Sequence, residues 1–435
     1  MRWLSFAAAA MGLLAGTLVV IPCSIAQDKN ANQPDLAIPA TDDGLPGAGP
    51  IRRADWFQNV WLARRTAFRA EAAKEQPLIV VFGDSITQGW GNRLEKYFPE
   101  LALANRGISG DTTRGMLIRL KDDVLNLKPA GVVLLMGTND LEEAAEPATI
   151  ASNVKLIVQA LKAHDSKMPI VLCNVMPSSA SKKRPADKIQ AVNKLVFEAV
   201  KGDPQVTVLD TWTLFADAQG DAKSDEFPDL LHPNDAGYAK WAAALRPILA
   251  TLGFVEKETE AFQLEDGYES LFNGRDLTGW CFRPNAKGEG RKVVFDGQSA
   301  SDDGRYVAKS GRLIVTTPPE GRRIQQLWTT REFGKDFTLK LEFRATPNAD
   351  SGIFIRGPQL QCRDYPLAGP YKELKNYRPQ DWNEITIEVK GLVAKCTCNG
   401  EVLEAEFKVP ASGSIGLEGD RGQMEYRRIR LQTHN

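Results

Sequence analysis

The sequence predicts an α/β domain with a parallel sheet flanked by helices, followed by an all-β jelly-roll sandwich. In the first half, four short and almost wholly apolar runs are separated by amphipathic stretches, which is typical of parallel strands with helices on both faces. In the second half, strand-like runs alternate apolar and polar residues between Gly, Pro and Asn-Gly turns, a pattern that favours an antiparallel sandwich. A chain of 435 residues is also long for one compact core.

The N-terminus is typical of an export signal. A positive Met1-Arg2 precedes an apolar run over residues 6–21, and Ser24-Ile25-Ala26 offers small residues at the positions that a signal peptidase reads. We therefore expect a signal peptide over 1–26 and a periplasmic or extracellular location. The alternative is a retained anchor, although the run is short for crossing a bilayer. Residues 27–51 are rich in Pro, Gly, Ala and Asp without periodicity, which predicts a flexible linker.

Residues 52–253 are predicted to form the α/β domain. A helix over 55–74 places Trp56, Val60, Trp61 and Phe68 in one apolar stripe, which core packing explains better than ligand binding. The four apolar runs predict strands over 77–82, 130–136, 169–175 and 206–209, and the amphipathic stretches predict helices over 150–163, 187–200 and 236–252.

The charged stretch 254–261 is predicted to be a linker, and 262–435 the sandwich. The alternating runs predict strands over 312–317, 337–344, 351–356, 383–390, 393–398 and 424–431, without a helix of useful length. Four cysteines lie in this half, where an oxidising compartment allows pairing. Cys396 or Cys398 could pair with Cys362 or Cys281, whereas Cys173 in the first domain is predicted to be a buried free thiol.

The charge balance gives no reason to expect a strongly charged partner. With 54 Lys and Arg against 55 Asp and Glu, the net charge is −1, so nothing favours nucleic acid or an anionic membrane. No segment after the signal is long and apolar enough to span a membrane. We expect a small acyl-ester or glycan substrate.

The first candidate catalytic residue follows the first strand. Ser85, in Gly83-Asp84-Ser85, stands where a strand-to-helix turn would expose its hydroxyl, as an esterase nucleophile requires. The competing interpretation is that Ser85 only caps the next helix. Alone, this tripeptide is a weak signal.

The three histidines of the chain narrow the choice of base. His434 is the penultimate residue, and His164 lies at the polar end of a helix, where a cation suits the helix dipole. His232 remains for proton transfer, and Asp229 precedes it by three residues. Within a loop, this spacing lets the carboxylate fix one ring nitrogen while the other faces Ser85.

Donors for an oxyanion are available at two other strand ends. The segment 105–111 carries Gly107 and Gly110, whose backbone amides can approach a ligand closely. Asn139, in Gly137-Thr138-Asn139-Asp140, offers a side-chain amide. Each could also be ordinary turn chemistry.

These residues together resemble a known family. The ordered set Gly83-Asp84-Ser85, Asn105-x-Gly107-x-x-Gly110, Gly137-x-Asn139 and Asp229-x-x-His232 resembles the four sequence blocks of the SGNH, or GDSL, hydrolases. The stretch 105–113 is similar to the platelet-activating-factor acetylhydrolase and carbohydrate O-acetylesterase branch. The resemblance covers residues 77–249.

The resemblance implies a flavodoxin-like sheet and a Ser-His-Asp mechanism. Ser85 would attack the acyl carbonyl, His232 would act as base and then acid, and Asp229 would orient His232. The backbone amides of Ser85 and Gly110 and the side chain of Asn139 would hold the oxyanion. No metal or organic cofactor is required.

The second half resembles another family. Residues 271–280, 350–356, 381–383 and 415–418 resemble the concanavalin-like jelly roll that is linked to 3-keto-disaccharide hydrolysis. Many relatives carry Glu-x-Gln where this chain has Gln359-Leu360-Gln361, so an acid candidate is missing. The residues that could line a sugar-binding concavity instead are Arg356, Gln361, Asp364, Tyr371 and Trp382. Trp382 could equally be a core anchor.

The leading hypothesis is an exported serine esterase that removes acetyl or other short acyl groups from carbohydrate, with a glycan-binding or glycan-processing sandwich. One alternative is a bifunctional glycan hydrolase whose sandwich also cleaves 3-keto-disaccharides. Another is a lipid or aryl esterase with a structural appendage. A further alternative is a glycan-binding protein with an idle esterase site.

Overall fold

The computed structural model describes residues 36–72, 79–255, 262–284, 290–316, 325–367 and 369–434. The predicted signal peptide lies outside these residues, as does most of the predicted linker 254–261. The first half of the chain is an α/β domain. Its helices are α1 (Asp55–Ala72), α2 (Ser85–Gln88), α3 (Arg93–Tyr97), α4 (Thr113–Asp123), α5 (Thr138–Glu142), α6 (Pro147–His164), α7 (Ala186–Val200), α8 (Thr211–Phe215) and α9 (Asp235–Thr251).

The sheet of this domain is parallel and has five strands, which confirms the predicted fold class. The strands are β1 (Ile79–Gly83), β2 (Leu103–Gly107), β3 (Gly131–Leu135), β4 (Ile170–Cys173) and β5 (Val206–Leu209). Their order is β2-β1-β3-β4-β5, the flavodoxin-like order. All four predicted strands are present, with ends shifted by a few residues. The edge strand β2 was not predicted, because Asn105 and Arg106 interrupt its short apolar run.

Separate apolar clusters cover the two faces of this sheet. On one face, α4, α6 and α7 pack through residues such as Met116, Ile157 and Val192. On the other, α9 packs through Trp241 and neighbouring aliphatic side chains. Burial of both faces leaves the carboxyl ends of the strands as the place where polar side chains can meet. Among the described residues, no helix is long and apolar enough to cross a membrane.

Residues 36–54, here called the N-terminal strap, are packed against the domain. Asn153 of α6 exchanges two hydrogen bonds with the backbone of Ala48, at 3.1 and 2.8 Å. The Thr112 hydroxyl donates to Pro50 O at 2.8 Å, and Arg114 donates to Gly49 O at 2.9 Å. The prediction of a flexible linker is therefore wrong for residues 36–51, the part of it that the structure describes. The prediction failed because these contacts come from distant residues and leave no local periodicity.

The second half is an antiparallel sandwich of two sheets, and no helix occurs among its described residues. The first sheet contains β6 (Glu269–Ser270), β9 (Tyr306–Lys309), β10 (Arg312–Thr316), β12 (Phe337–Ala345), β15 (Asn383–Lys390), β16 (Val393–Cys398), β17 (Glu401–Lys408) and β19 (Gln423–Thr433). The second contains β7 (Trp280–Phe282), β8 (Val293–Val294), β11 (Leu327–Thr329), β13 (Asp350–Ile355), β14 (Gln359–Arg363) and β18 (Ile415–Leu417).

The cysteines of the described chain carry free thiols. All five, Cys173, Cys281, Cys362, Cys396 and Cys398, are buried. The predicted free thiol at Cys173 is confirmed, whereas the expectation of pairing in the second half is wrong. The four cysteines of the sandwich lie inside the domain, where a thiol packs as a small apolar side chain.

A buried ion pair of the sandwich is hydrogen-bonded to the end of α9 in the α/β domain. Arg344 of β12 donates to Glu425 of β19 at 2.5 Å, and both side chains are 2% exposed. The same guanidinium donates to Thr251 at the end of α9 at 2.6 Å and also to Pro247 O. Thr251 in turn donates to Glu425 at 3.0 Å. The two domains therefore share one closed hydrogen-bond network.

We expect Glu425→Ala to lower the free energy of unfolding by about 3 to 5 kcal/mol, because it leaves the buried Arg344 guanidinium without that carboxylate. Urea denaturation measures the change. The matched control is Glu269→Ala, which removes an exposed ion pair with Arg331 and should cost at most about 1 kcal/mol. Equal effects of the two substitutions would contradict the prediction.

Candidate active site

Ser85 lies at the carboxyl end of β1, an interior strand of the sheet, as the first residue of α2. Asp84 caps this helix by accepting a hydrogen bond from the Ile86 amide at 2.9 Å. The strand must end in glycine, because a Cβ at Gly83 would lie 2.3 Å from the carbonyl oxygen of Leu135. The turn therefore presents the Ser85 hydroxyl at the rim of the sheet, and the Ser85 N–H has no acceptor within its helix.

His232 and Asp229 lie on the loop that precedes α9 and form a row with Ser85. The Ser85 Oγ lies 2.9 Å from His232 Nε2, and His232 Nδ1 lies 2.7 Å from Asp229 Oδ2. Asp229 Oδ1 also accepts the backbone amides of Leu231 at 3.0 Å and His232 at 2.7 Å. A carboxylate that holds Nδ1–H leaves Nε2 as the acceptor that can take the serine proton.

The negative charge of Asp229 is stabilised by several hydrogen bonds. Partial burial works to raise the pKa of this carboxyl, but the hydrogen bonds from the His232 amide and imidazole and from the Leu231 amide outweigh it and lower the pKa to about 2. Asp229 is therefore ionised near neutral pH, as required to stabilise a protonated imidazole.

The loop after β2 lies beside the nucleophile turn. The Gln88 side chain at the end of α2 accepts hydrogen bonds from the Ser109 amide at 2.8 Å and hydroxyl at 2.9 Å. Asn105 donates to the carbonyl oxygen of Thr87 at 2.9 Å. Gly110 follows with φ of +87°, in the left-handed region that glycine adopts without strain. The turn that carries Ser85 and the loop that carries Gly110 are thus tied together.

Asn139 is joined to the same loop from α5. Its Nδ2 donates to the carbonyl oxygen of Asp111 at 2.9 Å, and its Oδ1 accepts from the buried Arg184 at 3.1 Å. Arg184 is itself fixed by donation to Thr138 O at 3.0 Å and by its ion pair with Glu142. These contacts determine which end of the amide carries the N–H groups. Three predicted oxyanion donors therefore lie on elements that contact one another.

Sequence reasoning did not identify Arg184. It lies in Lys182-Lys183-Arg184-Pro185 before α7, a short basic run that is usually a solvated surface. Its burial depends on acceptors more than forty residues away. No local signal in the sequence marks it.

Three buried carboxyl groups lie behind the site. Burial raises the pKa of Asp84 to about 6, of Asp111 to about 7 and of Asp140 to about 6. Asp111 is compensated by the buried Arg119, whose Nε lies 2.7 Å from its Oδ2, and Asp140 accepts the amide and hydroxyl of Thr113. The carboxyl groups anchor the loops that carry the candidate donors.

The Asp84 carboxyl gives a pH-dependent stability. Its pKa of about 6 in the folded protein lies above the value of about 4 expected in the unfolded chain. The folded state therefore binds the extra proton between these values, and its stability falls as pH rises through about 6. We expect Asp84→Asn, which keeps the cap and stays neutral, to be more stable relative to wild type at pH 8 than at pH 5. Urea denaturation at both values tests this, and an equal difference at the two would contradict it.

The predicted sugar-binding residues of the sandwich do not form one site. Arg356 is buried and donates to the carbonyl oxygens of Gly391 at 3.0 Å and Lys335 at 2.6 Å. Asp364 and Trp382 are also buried. For these three the prediction is wrong, because Arg356 and Asp364 bind backbone groups and the guanidinium groups of Arg344 and Arg427 lie against the Trp382 ring.

The other two predicted residues are less buried but are also engaged. The Tyr371 hydroxyl donates to Glu404 at 2.6 Å, and Gln361 accepts from Arg363. They therefore contribute to local packing around β14 and β17.

The outer part of the second sheet carries a different polar group, which sequence reasoning missed. Glu418, just after β18, accepts hydrogen bonds from Gln326 at 2.9 Å and Gln359 at 2.6 Å. Burial raises the pKa of this carboxyl. Nearby on the same sheet, the rings of Trp328 and Phe354 pack with centroids 5.2 Å apart. A carboxyl group therefore stands beside Gln359, where the sequence had indicated a missing acid.

Comparisons with known proteins agree with both resemblances. Residues 81–240 match the GDSL-like lipase/acylhydrolase family, and residues 267–432 match the 3-keto-alpha-glucoside-1,2-lyase-like domain. The chain is 31% identical over 196 residues to the platelet-activating factor acetylhydrolase IB subunit alpha1 of Pongo abelii, covering 44% of this chain and 84% of that relative.

Two further matches cover the same domain. The alpha2 subunit of Bos taurus is 29% identical over 218 residues, covering 48% of this chain and 93% of the relative. A solved GDSL-like lipase from Bacteroides thetaiotaomicron is 25% identical, with a TM-score of 0.40, and the match covers 44% of this chain and 98% of that one.

Proposed function

This chain belongs to the GDSL-like lipase/acylhydrolase family, and we propose that it is an exported esterase that removes acetyl or other short acyl groups from carbohydrate. It is a carboxylic ester hydrolase that carries a 3-keto-disaccharide hydrolase-like sandwich. The observation that carries the proposed mechanism is the row Ser85–His232–Asp229, with distances of 2.9 and 2.7 Å.

In the proposed reaction, His232 Nε2 takes the Ser85 proton as Oγ attacks the acyl carbonyl. The tetrahedral intermediate collapses when His232 returns this proton to the leaving alcohol, which gives an acyl-enzyme on Ser85. Water then attacks the acyl-enzyme, with His232 again acting as base and then as acid. Asp229 keeps Nδ1 protonated and stabilises the imidazolium that forms in each half-reaction.

The oxyanion would be held by the amides of Ser85 and Gly110 and by Asn139 Nδ2. Donors that are fixed before the reaction need no reorganisation when charge develops, and one such donor supplies about 3 to 4 kcal/mol. The Arg184 contact with Asn139 Oδ1 supports this role, because it keeps the amide nitrogen directed toward the loop that carries Gly110.

Two observations support a short acyl group on a carbohydrate. The curated relatives are named acetylhydrolases, which favours acetyl as the acyl group. The sandwich matches a domain named for a glucoside, which favours a glycan near the ester. A binding or processing domain on the same chain raises the local concentration of such a substrate.

A panel of esters tests the proposal. Wild-type enzyme is assayed with acetylated glycans and with a series of simple esters of increasing acyl length. We expect acetylated glycans to be hydrolysed and kcat/KM to fall steeply as the acyl chain lengthens. Preference for long-chain esters would instead establish the lipid esterase, and turnover of aryl acetates without any acetylated glycan would establish the aryl esterase.

A second activity is favoured by the Glu418 cluster. We propose that the sandwich processes a 3-keto-glucoside there, with Glu418 as the acid or base that Gln359 does not supply. Full-length Ser85→Ala protein should release sugar from a 3-keto-α-glucoside, and adding Glu418→Gln should remove this activity. Glu406→Gln, at an exposed position of β17, is the matched control. Release that survives Glu418→Gln would refute the assignment.

Export is also part of the proposal. It is supported by the sequence of residues 1–26, which has the pattern of a signal peptide. Expression in a bacterial host followed by N-terminal sequencing of the secreted or periplasmic protein tests it. We expect the mature chain to begin at Gln27. A full-length protein that stays in the cytoplasm would contradict export.

A further inference from the structure

Trp56, in the first turn of α1, is an exposed aromatic side chain. Its exposed fraction is 52%, whereas Trp61 on the same helix is 1% exposed. The sequence placed both in one buried stripe, so the expectation is wrong for Trp56. The adjacent Phe57 is buried and supports the indole edge-to-face, with ring centroids 5.6 Å apart. A large aromatic surface is thus packed against a buried ring on one side and half open to solvent.

The indole lies directly beside Gly110, one of the proposed oxyanion donors. A Cβ at Gly110 would come within 2.5 Å of Trp56 Cη2 and 3.1 Å of Arg52 Nη1. Both side chains therefore touch the loop at the residue whose amide faces the reacting carbonyl in the proposed mechanism. The indole therefore borders the loop that carries one of the proposed oxyanion donors.

Arg52, from the N-terminal strap, supplies a polar border. Its guanidinium lies over one side of the Trp56 ring, 5.8 Å from the ring centre. It is fixed by ion pairs with Glu143 at 2.6 Å and with Glu142. Glu142 also pairs with Arg184, the residue that holds Asn139. Arg52 is therefore connected to the proposed oxyanion donor Asn139 through Glu142 and Arg184.

We propose that Trp56 forms a subsite for the sugar ring of the ester, with Arg52, Glu142 and Glu143 as its polar border. This inference rests on the proposed function and names the group that recognises its substrate. The C–H face of a pyranose packs on the indole, and the hydroxyl groups at its edge bond to the fixed guanidinium and carboxylates.

The surroundings of Trp56 favour a pyranose over an acyl chain. A site for an acyl chain needs apolar walls, since each buried methylene group contributes about 0.8 kcal/mol only when it leaves water. Here the exposed indole is bordered by an arginine and two glutamates. The Glu142 and Glu143 side chains are 36% and 39% exposed, so their oxygens remain accessible to hydroxyl groups. An aromatic face with a hydrogen-bonding edge matches a ring that has one apolar face and a hydroxylated rim.

The test compares three substrates: a mono-acetylated methyl pyranoside, ethyl acetate and ethyl hexanoate. The quantity measured is the ratio of kcat/KM for the acetylated pyranoside to that for ethyl acetate. We expect Trp56→Ala to lower this ratio about tenfold, the equivalent of roughly 1.4 kcal/mol of stacking. The loss should lie mainly in KM, and Trp56→Phe should restore part of it. Leu62→Ala, an exposed apolar residue of α1, is the matched control and should leave the ratio unchanged.

Each other outcome overturns a defined part of the proposal. An unchanged ratio in Trp56→Ala, with a wild type that hydrolyses the pyranoside, overturns the subsite and leaves the proposed function intact. If Trp56→Ala lowers only the ratio of kcat/KM for ethyl hexanoate to that for ethyl acetate, Trp56 contacts the acyl chain. This result also overturns the sugar subsite. A wild type that hydrolyses ethyl acetate but no acetylated pyranoside overturns both the subsite and the carbohydrate substrate.

Discussion

Replacing Ser85 by alanine is expected to lower kcat for ester hydrolysis by a factor of about 10⁶, because it removes the group that forms the covalent intermediate. His232 Nε2 would lose its partner at 2.9 Å, and no acyl-enzyme could form. The measurement is the initial rate with an activated acetate ester. Residual hydrolysis from the oxyanion donors alone should remain far below the wild-type rate.

Ser181→Ala is the matched control for this variant. Ser181 is an exposed serine near the N-terminus of α7, so its loss should change the rate by no more than about twofold. Both variants should unfold at the wild-type temperature. Full activity in Ser85→Ala would exclude this residue as the nucleophile.

Asp229→Asn is expected to lower kcat by a factor of about 10⁴ while the fold is kept. An amide in this place can present an N–H to His232 Nδ1, which shifts the ring proton to Nε2. The imidazole then cannot accept the Ser85 proton. The pH–rate profile and kcat are measured with the same activated ester.

Asp235→Asn separates this effect from a general loss of negative charge near His232. Asp235 begins α9, pairs with Arg93 and has a side chain that is 79% exposed. We expect its variant to retain wild-type kcat within about twofold. If both aspartate variants lost activity equally, Asp229 would not be the residue that orients His232.

The parts of the fold that could be predicted are those with a strong local pattern. Strands β1, β3 and β4 are buried on both faces and therefore appear as uninterrupted apolar runs, and β5 departs from this only at Thr207 and the partly buried Val208. The edge strand β2 lacks this pattern, since it alternates partly buried and buried residues and contains Asn105 and Arg106. Its pairing with β1 depends on the sheet and not on its own sequence.

The candidate triad could be predicted because its residues are marked by local features of the sequence. Ser85 follows a buried strand, and the Asp229–His232 spacing closes within one loop. The sequence indicates the sandwich residues Arg356, Asp364 and Trp382 by residue type alone. Whether such a side chain faces a ligand or the interior depends on strand pairing, and here all three are buried.

The exposure of Trp56 and the role proposed for Glu418 escape the sequence for a related reason. The helical spacing of Trp56 is that of a core residue, but its indole packs against Gly110 of a loop distant in sequence and stays 52% exposed. Glu418 reaches Gln359 from a strand that is distant in sequence. Both contacts are tertiary, so a linear pattern does not contain them.

The N-terminal strap has a practical consequence for recombinant fragments of this enzyme. A fragment cut at residue 52, where the composition changes, would strip the carbonyl acceptors at Gly49 and Pro50 from Arg114 and Thr112. It would also leave both ends of the Asn153 amide without Ala48. Cloning of the catalytic half should therefore start no later than residue 36, and a purification tag belongs upstream of that point.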